Sequence, residues 1–196
     1  MGKQSRKKKV ERERKKESAS GIVGEKSNGV ARLPRIMKTI LPENILRYVF
    51  ANSFCYDKDV IDVGCKYGQG TEMFATYAKS YIGVDIKKYD ALKDINFKQL
   101  DFTLEIPYKN DFDVAICLEV LEHLINPVLL LNNIKKALRK DGTLIVSVPC
   151  IDRKVDTHLK AFYTKKELID LLGGIFKVKS INSFFGISWM VVCKQK

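Results

Sequence analysis

The 196-residue sequence lacks several features that would assign it to a particular class of protein. None of its apolar runs approaches the roughly 18 residues of a membrane-spanning helix, since even the longest, such as Trp189–Cys193, are far too short. The first residues carry charge but no apolar stretch, so we expect no secretory signal. The five cysteines are scattered and include no C-x-x-C pair, which argues against a zinc knuckle or a disulfide framework. This usage favours a reducing compartment, and we expect a cytoplasmic protein.

Positive charge is present in excess, and it is concentrated at the N-terminus. The chain has 35 Lys+Arg against 23 Asp+Glu, a net charge of +12. Residues 1–36 hold twelve basic and four acidic residues, whereas residues 37–196 hold 23 and 19. We therefore predict a disordered basic tail over 1–36, followed by one domain over 37–196. The tail has two interpretations: a solubilising segment, or an arm that follows the phosphates of nucleic acid or an anionic membrane surface.

From residue 37 onward, helical and strand patterns alternate. Helices are predicted over Pro42–Phe50, Thr71–Lys79, Glu119–His123, Val128–Leu138 and Lys165–Leu172, with at most one further turn near Tyr89–Lys93. Strands are predicted over Asp59–Val63, Ser80–Val84, Asn96–Leu100, Asp113–Cys117, Thr143–Val148, Phe176–Phe184 and Ser188–Cys193. This order predicts an α/β fold with a seven-stranded, mostly parallel sheet, helices on both faces and a C-terminal antiparallel hairpin. Ligands of such sheets bind at the carboxyl ends of the strands.

Two of the predicted helices carry further signals. Thr164 and Glu167 have the spacing of a capping box at the start of the last helix, and Gly173-Gly174 is predicted to end it. In the first helix, apolar residues at helical spacing are predicted to form one face: Ile45, Leu46, Val49 and Phe50.

A glycine-containing loop follows the first strand. Residues Asp62–Gly70 contain glycines with the spacing G-x-x-x-G-x-G, which allow a tight turn and a close approach of backbone N–H groups to a ligand. The spacing differs from the dinucleotide fingerprint, which disfavours NAD, and the G-K-[ST] of a P-loop is absent.

Acidic residues follow the second and third strands. Asp85 could accept hydrogen bonds from both hydroxyls of a ribose, because a vicinal diol matches the two oxygens of a carboxylate. Asp101 could pair with the amino group of an adenine, and Phe102 could pack against its ring. The alternative interpretation is structural, with Asp85 in a cap or turn and Asp101 in a loop.

Together these motifs resemble the class I S-adenosylmethionine-dependent methyltransferases, type 11-like subgroup, over about residues 40–196. The matching segments are Val60–Cys65, Ile82–Asp85, Leu100–Phe102, Phe112–Leu124 and Gly142–Pro149. The resemblance implies a Rossmann-like fold and S-adenosylmethionine as cofactor. It also implies cofactor contacts at Asp62, Gly64, Cys65, Gly68, Asp85, Ile86, Asp101, Phe102 and Glu119. Lys66 stands where this family usually has glycine, and its side chain is expected over the cofactor's carboxylate or in solvent.

The segment Glu119-x-x-Glu122-His123 is the candidate for acid–base chemistry. On a helix these three side chains share one face and could hold Mg²⁺ or another divalent ion. The spacing resembles the metal site of small-RNA 3′-end 2′-O-methyltransferases and ubiquinone-pathway O-methyltransferases. The same string in relatives not known to use metal disfavours this reading. His123 as a metal-free general base and polar packing are the alternatives, and His158 is interpreted as a loop residue over the acceptor site, or a further ligand or base.

Three functions follow from these patterns. The first is methyl transfer to an oxygen or nitrogen of a small molecule or saccharide. The second is RNA methylation with the basic arm holding the backbone, and the third is a non-catalytic cofactor-binding module. No N/D-P-P-[YF] motif follows the fourth strand, which disfavours methylation of adenine N6 or glutamine. Cys150 follows the fifth strand and is interpreted as a small strand-end residue rather than a nucleophile.

Overall fold

The computed structural model describes residues 42–68, 70, 77–89, 96–150 and 163–196. Three α-helices lie within them, α1 (Pro42–Asn52), α2 (Pro127–Ala137) and α3 (Lys165–Ile175), together with a short 3₁₀ helix, Leu121–His123. The described strands are β1 (Asp59–Val63), β2 (Ser80–Asp85), β3 (Phe97–Gln99), β4 (Phe112–Leu118), β5 (Leu138–Pro149), β6 (Phe176–Phe184) and β7 (Ser188–Gln195).

The seven strands form one sheet in the order β3-β2-β1-β4-β5-β7-β6. Strands β1 to β5 pair in parallel, whereas β7 pairs antiparallel with both β5 and β6. The predicted α/β architecture with its C-terminal hairpin is therefore confirmed. The chain runs outward from β1 to β3 and then returns to β4, so the crevice outside the carboxyl ends of β1 and β4 is the expected ligand position.

Side chains of the parallel strands alternate between two apolar layers. Val114 and Ile116 of β4 pack with Tyr48 and Ala51 of α1, whereas Ala115 and Cys117 belong to the layer that α2 and α3 cover. A strand buried on both faces reads as a continuous hydrophobic run, which explains the composition of β1, β4 and β5. The prediction of helices on both faces is confirmed.

The buried face of α1 differs from the predicted one. Leu46 and Val49 are exposed, whereas Arg47, Tyr48 and Ala51 are buried. The helix thus turns a mixed polar face toward the sheet, because Arg47 and Tyr48 find buried hydrogen-bond partners on the strands. Of the four apolar residues predicted to form one face, Leu46 and Val49 point to solvent, whereas Ile45 and Phe50 are half-buried and Phe50 packs against the core beneath α1.

Two further helix predictions are corrected. Glu119 has a left-handed backbone with φ of 55° and lies outside the three-residue 3₁₀ helix, so residues 119, 122 and 123 do not share one helical face. Helix α3 continues through Gly173 and Gly174 to Ile175, and Phe176 N–H donates to Leu172 O at its end. The capping box of α3 is confirmed, with Thr164 Oγ1 accepting from Glu167 N–H at 3.3 Å.

The last of the parallel strands is longer than predicted. Strand β5 begins at Leu138, directly after α2, and its pairing with β4 shifts register between Phe112 and Val114. The added part of the strand is irregular, since Asp141 has a left-handed backbone with a φ of 62°.

Several predictions lie outside the described residues: the basic tail, most of the helix over Thr71–Lys79, the turn after Tyr89, and His158. None of the helices that the structure describes is long and apolar enough to cross a membrane.

Candidate cofactor and acceptor site

The loop after β1 is held by its own backbone and by that of β2. The N–H groups of Gly64 and Cys65 both donate to Val84 O, at 2.8 and 3.1 Å, and Gly68 N–H donates to Cys65 O. Gly64 has a φ of 79°, and a Cβ there would overlap Cγ2 of Val120. The glycine therefore allows the loop to touch the segment that follows β4, which places the ends of β1 and β4 side by side.

Lys66 occupies a left-handed position in this loop, with a φ of 49°. This conformation is the reason that glycine suits the position. Its ammonium lies 5.3 Å from the centroid of the Tyr67 ring, and that ring packs edge-on against Tyr89 at 4.6 Å. The side chain is thus directed toward a neighbouring aromatic pair.

Asp85, at the end of β2, is tied to the glycine loop. Its Oδ2 accepts from Lys66 N–H and its Oδ1 from Lys87 N–H, both at 2.9 Å. Each carboxylate oxygen has a further lone pair, and the residue is only half-buried, so it can still accept from the two hydroxyls of a ribose. Ile86 follows with an exposed side chain beside this carboxylate.

The loop after β3 places Asp101 and Phe102 differently. Thr103 N–H and its hydroxyl both donate to Asp101 Oδ1, at 2.9 and 2.6 Å, which leaves Oδ2 to accept from an amine. Phe102 is 3% exposed and stacks on Tyr108 at 6.4 Å. Its ring therefore supports the loop from the core, and its placement favours packing over contact with a base.

Asp62 and Cys65 lie beneath the loop with their side chains buried. Asp62 Oδ2 accepts from the hydroxyls of Tyr81 and Tyr48, at 2.8 and 3.2 Å. Burial raises the pKa of Asp62 to about 7, although both tyrosine hydrogen bonds act to lower it. Cys65 Sγ would lie 2.8 Å from a Cβ at Gly83, and burial raises the pKa of its thiol. The Cys65 side chain is therefore part of the core, with the residue 1% exposed.

Glu119, just past β4, is held by side-chain and backbone contacts from two elements, β5 and α1. Its N–H donates to Ser147 O at 3.0 Å, and its Oε1 accepts from Ser147 Oγ at 2.8 Å. Its Oε2 lies 3.4 Å from Nη2 of the buried Arg47 on α1. The periodicity of α1 predicted neither Arg47 nor this network, and its only sequence signal is a charged residue between apolar ones.

The 3₁₀ helix places Glu122 and His123 next to each other with contrasting exposure. Glu122 is 1% exposed, whereas His123 is largely accessible, and His123 Nε2 lies 4.0 Å from Glu122 Oε1. Partial burial and the charge of Glu122 raise the pKa of Tyr163, which precedes α3. Within the described part of the chain, no three side chains of His, Cys, Asp or Glu converge to hold a metal ion.

The β6–β7 turn reaches the same edge of the sheet, because β7 runs antiparallel to β5. Ser188 pairs with Pro149 at the carboxyl end of β5, and Cys150 N–H donates to Ile187 O at 3.0 Å. Phe185 in this turn is exposed and has a φ of 53°. The turn and Cys150 therefore lie at the part of this edge away from Asp85.

A polar edge over β3, β2, β1 and β4, with glycines at its centre, agrees with comparisons to known proteins. Residues 33–173 match the family profile described as "Methyltransferase domain". The chain belongs to the class I S-adenosylmethionine-dependent methyltransferases. Its residues suit the cofactor of this family: Asp85 and Asp101 offer acceptors for hydroxyl and amino groups, and Glu119 offers a carboxylate to an ammonium group.

Curated methyltransferases resemble the chain over part of their length. It is 32% identical over 139 residues to a tRNA U34 carboxymethyltransferase of Helicobacter pylori, covering 63% of this chain and 53% of that protein. It is 24% identical over 143 residues to a ubiquinone biosynthesis O-methyltransferase of Hydrogenovibrio crunogenus, covering 66% and 58%. The chain thus spans little more than half of these relatives.

Solved methyltransferases share the fold. A 1,6-didemethyltoxoflavin-N1-methyltransferase of Burkholderia thailandensis, solved with 1,6-didemethyltoxoflavin and S-adenosylhomocysteine, superposes with a TM-score of 0.66 at 16% identity. The match covers 87% of this chain and 93% of that one.

Proposed function

We propose that this chain transfers the methyl group of S-adenosylmethionine to an oxygen or nitrogen atom of a small molecule or saccharide. When bound, the cofactor supplies a methyl carbon on a positively charged sulfur, which an in-line acceptor displaces. Asp85 and Asp101 would hold its ribose and adenine, and the backbone of Gly64, Cys65 and Gly68 would lie against its centre. The protein's main contribution is alignment, which can lower such a barrier by about 7–11 kcal/mol.

The pairing of His123 with Glu122 carries the proposal of an oxygen or nitrogen acceptor. His123 lies three residues after Val120, whose side chain packs against Gly64 of the cofactor loop, and on this basis we place its imidazole beside that loop. A hydroxyl or amine acceptor must lose a proton, which an accessible imidazole can take. The buried carboxylate of Glu122, 4.0 Å away, would stabilise the imidazolium that forms. His123 is thus the proposed general base.

The far side of the site favours a small acceptor. The exposed Phe185 and the half-buried Cys150 present apolar surface beside the polar edge. Small-molecule sites commonly combine such surface with a few directed polar groups. Relatives named as ubiquinone biosynthesis O-methyltransferases agree with a small acceptor.

A specific surface feature favours RNA as the second candidate acceptor. Lys66, Tyr67, Lys87 and Lys88 are all exposed beside Asp85. Lysines contact phosphates, and an exposed aromatic ring can stack on an unpaired base. The N-terminal segment of the sequence is also strongly basic, and one relative is named as a tRNA U34 carboxymethyltransferase.

A radiolabel-transfer screen separates the two acceptor classes. The full chain is incubated with methyl-labelled S-adenosylmethionine and either total RNA or a panel of hydroxylated compounds, amines and saccharides. We expect label in a small molecule, and a loss of about 100-fold in rate for His123→Ala. Unchanged transfer by this variant would remove the general base from the proposal.

Two double variants test the RNA alternative. Lys87→Ala with Lys88→Ala removes charge beside Asp85, and Lys177→Ala with Lys179→Ala removes the same charge from the distant strand β6. If RNA is the acceptor, only the first pair should weaken transfer and reduce its salt dependence. Label in RNA with this response would replace the small-molecule assignment.

A further inference from the structure

A buried arginine on α1 joins segments that are distant in sequence. Arg47 is 2% exposed, its Nη1 donates to Asn44 Oδ1 at 2.6 Å, and its Nη2 donates to Ser188 Oγ at 2.8 Å. The same Nη2 lies 3.4 Å from Glu119 Oε2. Among the described residues, no acceptor reaches its Nε, which is also buried. One guanidinium therefore connects α1, the start of β7 and the end of β4.

Stability alone gives little reason for this arrangement. Removing a guanidinium and a carboxylate from water costs free energy that their attraction often fails to recover, and apolar replacements of a buried pair are often neutral or stabilising. The buried Nε adds to that cost. Glu119 also has a left-handed backbone, which non-glycine residues rarely adopt outside functional sites and turns. These costs point to a use for the orientation of the Glu119 carboxylate.

The order of groups in S-adenosylmethionine indicates what Glu119 would face. If Asp101 and Asp85 hold adenine and ribose at the ends of β3 and β2, the sulfonium and amino-acid end extend toward β1 and β4. Glu119 lies at the end of β4, and the adjacent Val120 touches Gly64 of the cofactor loop. The positively charged amino group of that end is a natural partner for a carboxylate.

We propose that Arg47 is a positioning residue that holds the Glu119 carboxylate toward the amino-acid end of S-adenosylmethionine. This inference rests on the cofactor placement in the proposed function. The Ser147 hydroxyl donates to one carboxylate oxygen of Glu119, and the Arg47 guanidinium forms an ion pair with the other. The carboxylate is therefore oriented before the ligand binds. Such orientation by supporting side chains is how binding sites keep their geometry.

Calorimetric binding of two ligands to the full chain tests the proposal. S-Adenosylmethionine carries the amino-acid end, and 5′-methylthioadenosine lacks it. We expect Glu119→Gln and Arg47→Met each to weaken S-adenosylmethionine binding by about tenfold and 5′-methylthioadenosine binding by less than about twofold. The double variant should lose little more than either single one, because Arg47 acts through Glu119. Arg47→Lys should give an intermediate loss, since lysine keeps the charge but lacks the planar fork.

Arg139→Met is the matched control. Arg139 pairs with Asp59 and Asp113 at the opposite edge of the sheet, so the control removes a guanidinium in two ion pairs without touching the site. It should leave both affinities unchanged. If Arg47→Met folds poorly, Ser188→Ala removes one contact of Arg47 and should weaken S-adenosylmethionine binding alone, by a smaller factor.

The contrary results separate this inference from the proposed function. Equal losses for both ligands in the Arg47 variants, or no loss for either, would overturn the positioning role. Asp85→Ala should weaken both ligands by about 100-fold, because both contain the ribose. If Asp85→Ala weakens neither, the cofactor placement itself is wrong.

Discussion

The loop at Gly64–Gly68 and helix α1 reach the same sheet edge by different means. The loop is held by main-chain hydrogen bonds to Val84 and by a turn between Cys65 and Gly68. Helix α1 is held there by buried polar side chains, Arg47 and Tyr48, whose partners lie on the strands. The loop therefore depends on backbone conformation, whereas the helix depends on the exact identity of two side chains.

This difference determines how each region can be disturbed. Substitutions in the loop are limited by the φ angle that the backbone must adopt and by the small space beside Gly64. Glycine and other small residues are therefore best tolerated there. Substitutions on the buried face of α1 leave polar partners without a hydrogen bond, which costs more than lost packing. The comparison predicts large, pH-dependent effects beneath α1, smaller conformational effects in the loop, and almost none on the outer face of α1.

Asp62→Asn is expected to have the largest effect. Burial raises the pKa of Asp62 to about 7, so between about pH 4 and 7 the unfolded chain is ionised at this residue while the folded chain is neutral. The free energy of unfolding of the wild type should therefore decrease across this window. Asparagine keeps an acceptor for Tyr48 and Tyr81 and cannot ionise. The free energy of unfolding of the variant, measured relative to that of the wild type, should therefore increase by up to about 4 kcal/mol between pH 4 and pH 8.

Urea unfolding at several pH values measures this difference. Asp113→Asn is the matched control, since hydrogen bonds from Asp59 N–H and Arg139 lower the pKa of Asp113 despite its partial burial. The difference in free energy of unfolding between Asp113→Asn and the wild type should not change with pH above pH 5. A flat difference for Asp62→Asn as well would show that Tyr48 and Tyr81 hold an ionised carboxylate without penalty.

The loop and its strands could be predicted because their signals are local. Glycines in the sequence mark the positions of positive φ at Gly64 and Gly68. Asp85 follows a strand that is recognisable from its own apolar residues. The mostly parallel sheet could be predicted because alternation of strands and helices leaves few topologies. The fold and the cofactor edge thus depend on short-range patterns.

The network around Glu119 could not be predicted for the converse reason. Arg47 and Ser188 are 141 residues apart, and nothing near either residue signals the other. The pattern of α1 was misleading, since burial of Arg47 and Tyr48 is decided by partners on β4, β7 and β1. The helix expected over Glu119–His123 fails because Glu119 adopts a left-handed backbone that ends the strand abruptly.

Lys66→Gly tests whether the loop is limited by backbone conformation. Glycine adopts the left-handed region without a steric penalty, so this variant should be more stable by about 1 kcal/mol, with S-adenosylmethionine binding unchanged. Thermal unfolding and calorimetry provide the two measurements. Lys66→Ala removes the same contact with Tyr67 but keeps the strained backbone, so it should not be stabilised. Equal stabilities of the glycine and alanine variants would mean that the left-handed turn costs nothing here.

Val49→Lys should have the smallest effect and tests the two faces of α1 most directly. Periodicity places Val49 on the apolar face of α1, but the residue is 52% exposed, so a lysine there should change the free energy of unfolding by no more than about 0.5 kcal/mol. Ala51→Leu, on the fully buried face two residues later, should cost about 1–3 kcal/mol through overpacking against the sheet. Urea unfolding of the two variants compares the faces within one helix. A large loss for Val49→Lys with a small loss for Ala51→Leu would reverse the assignment and restore the face that periodicity predicts. The expected order would show that α1 is oriented by the partners of Arg47 and Tyr48 rather than by its apolar residues.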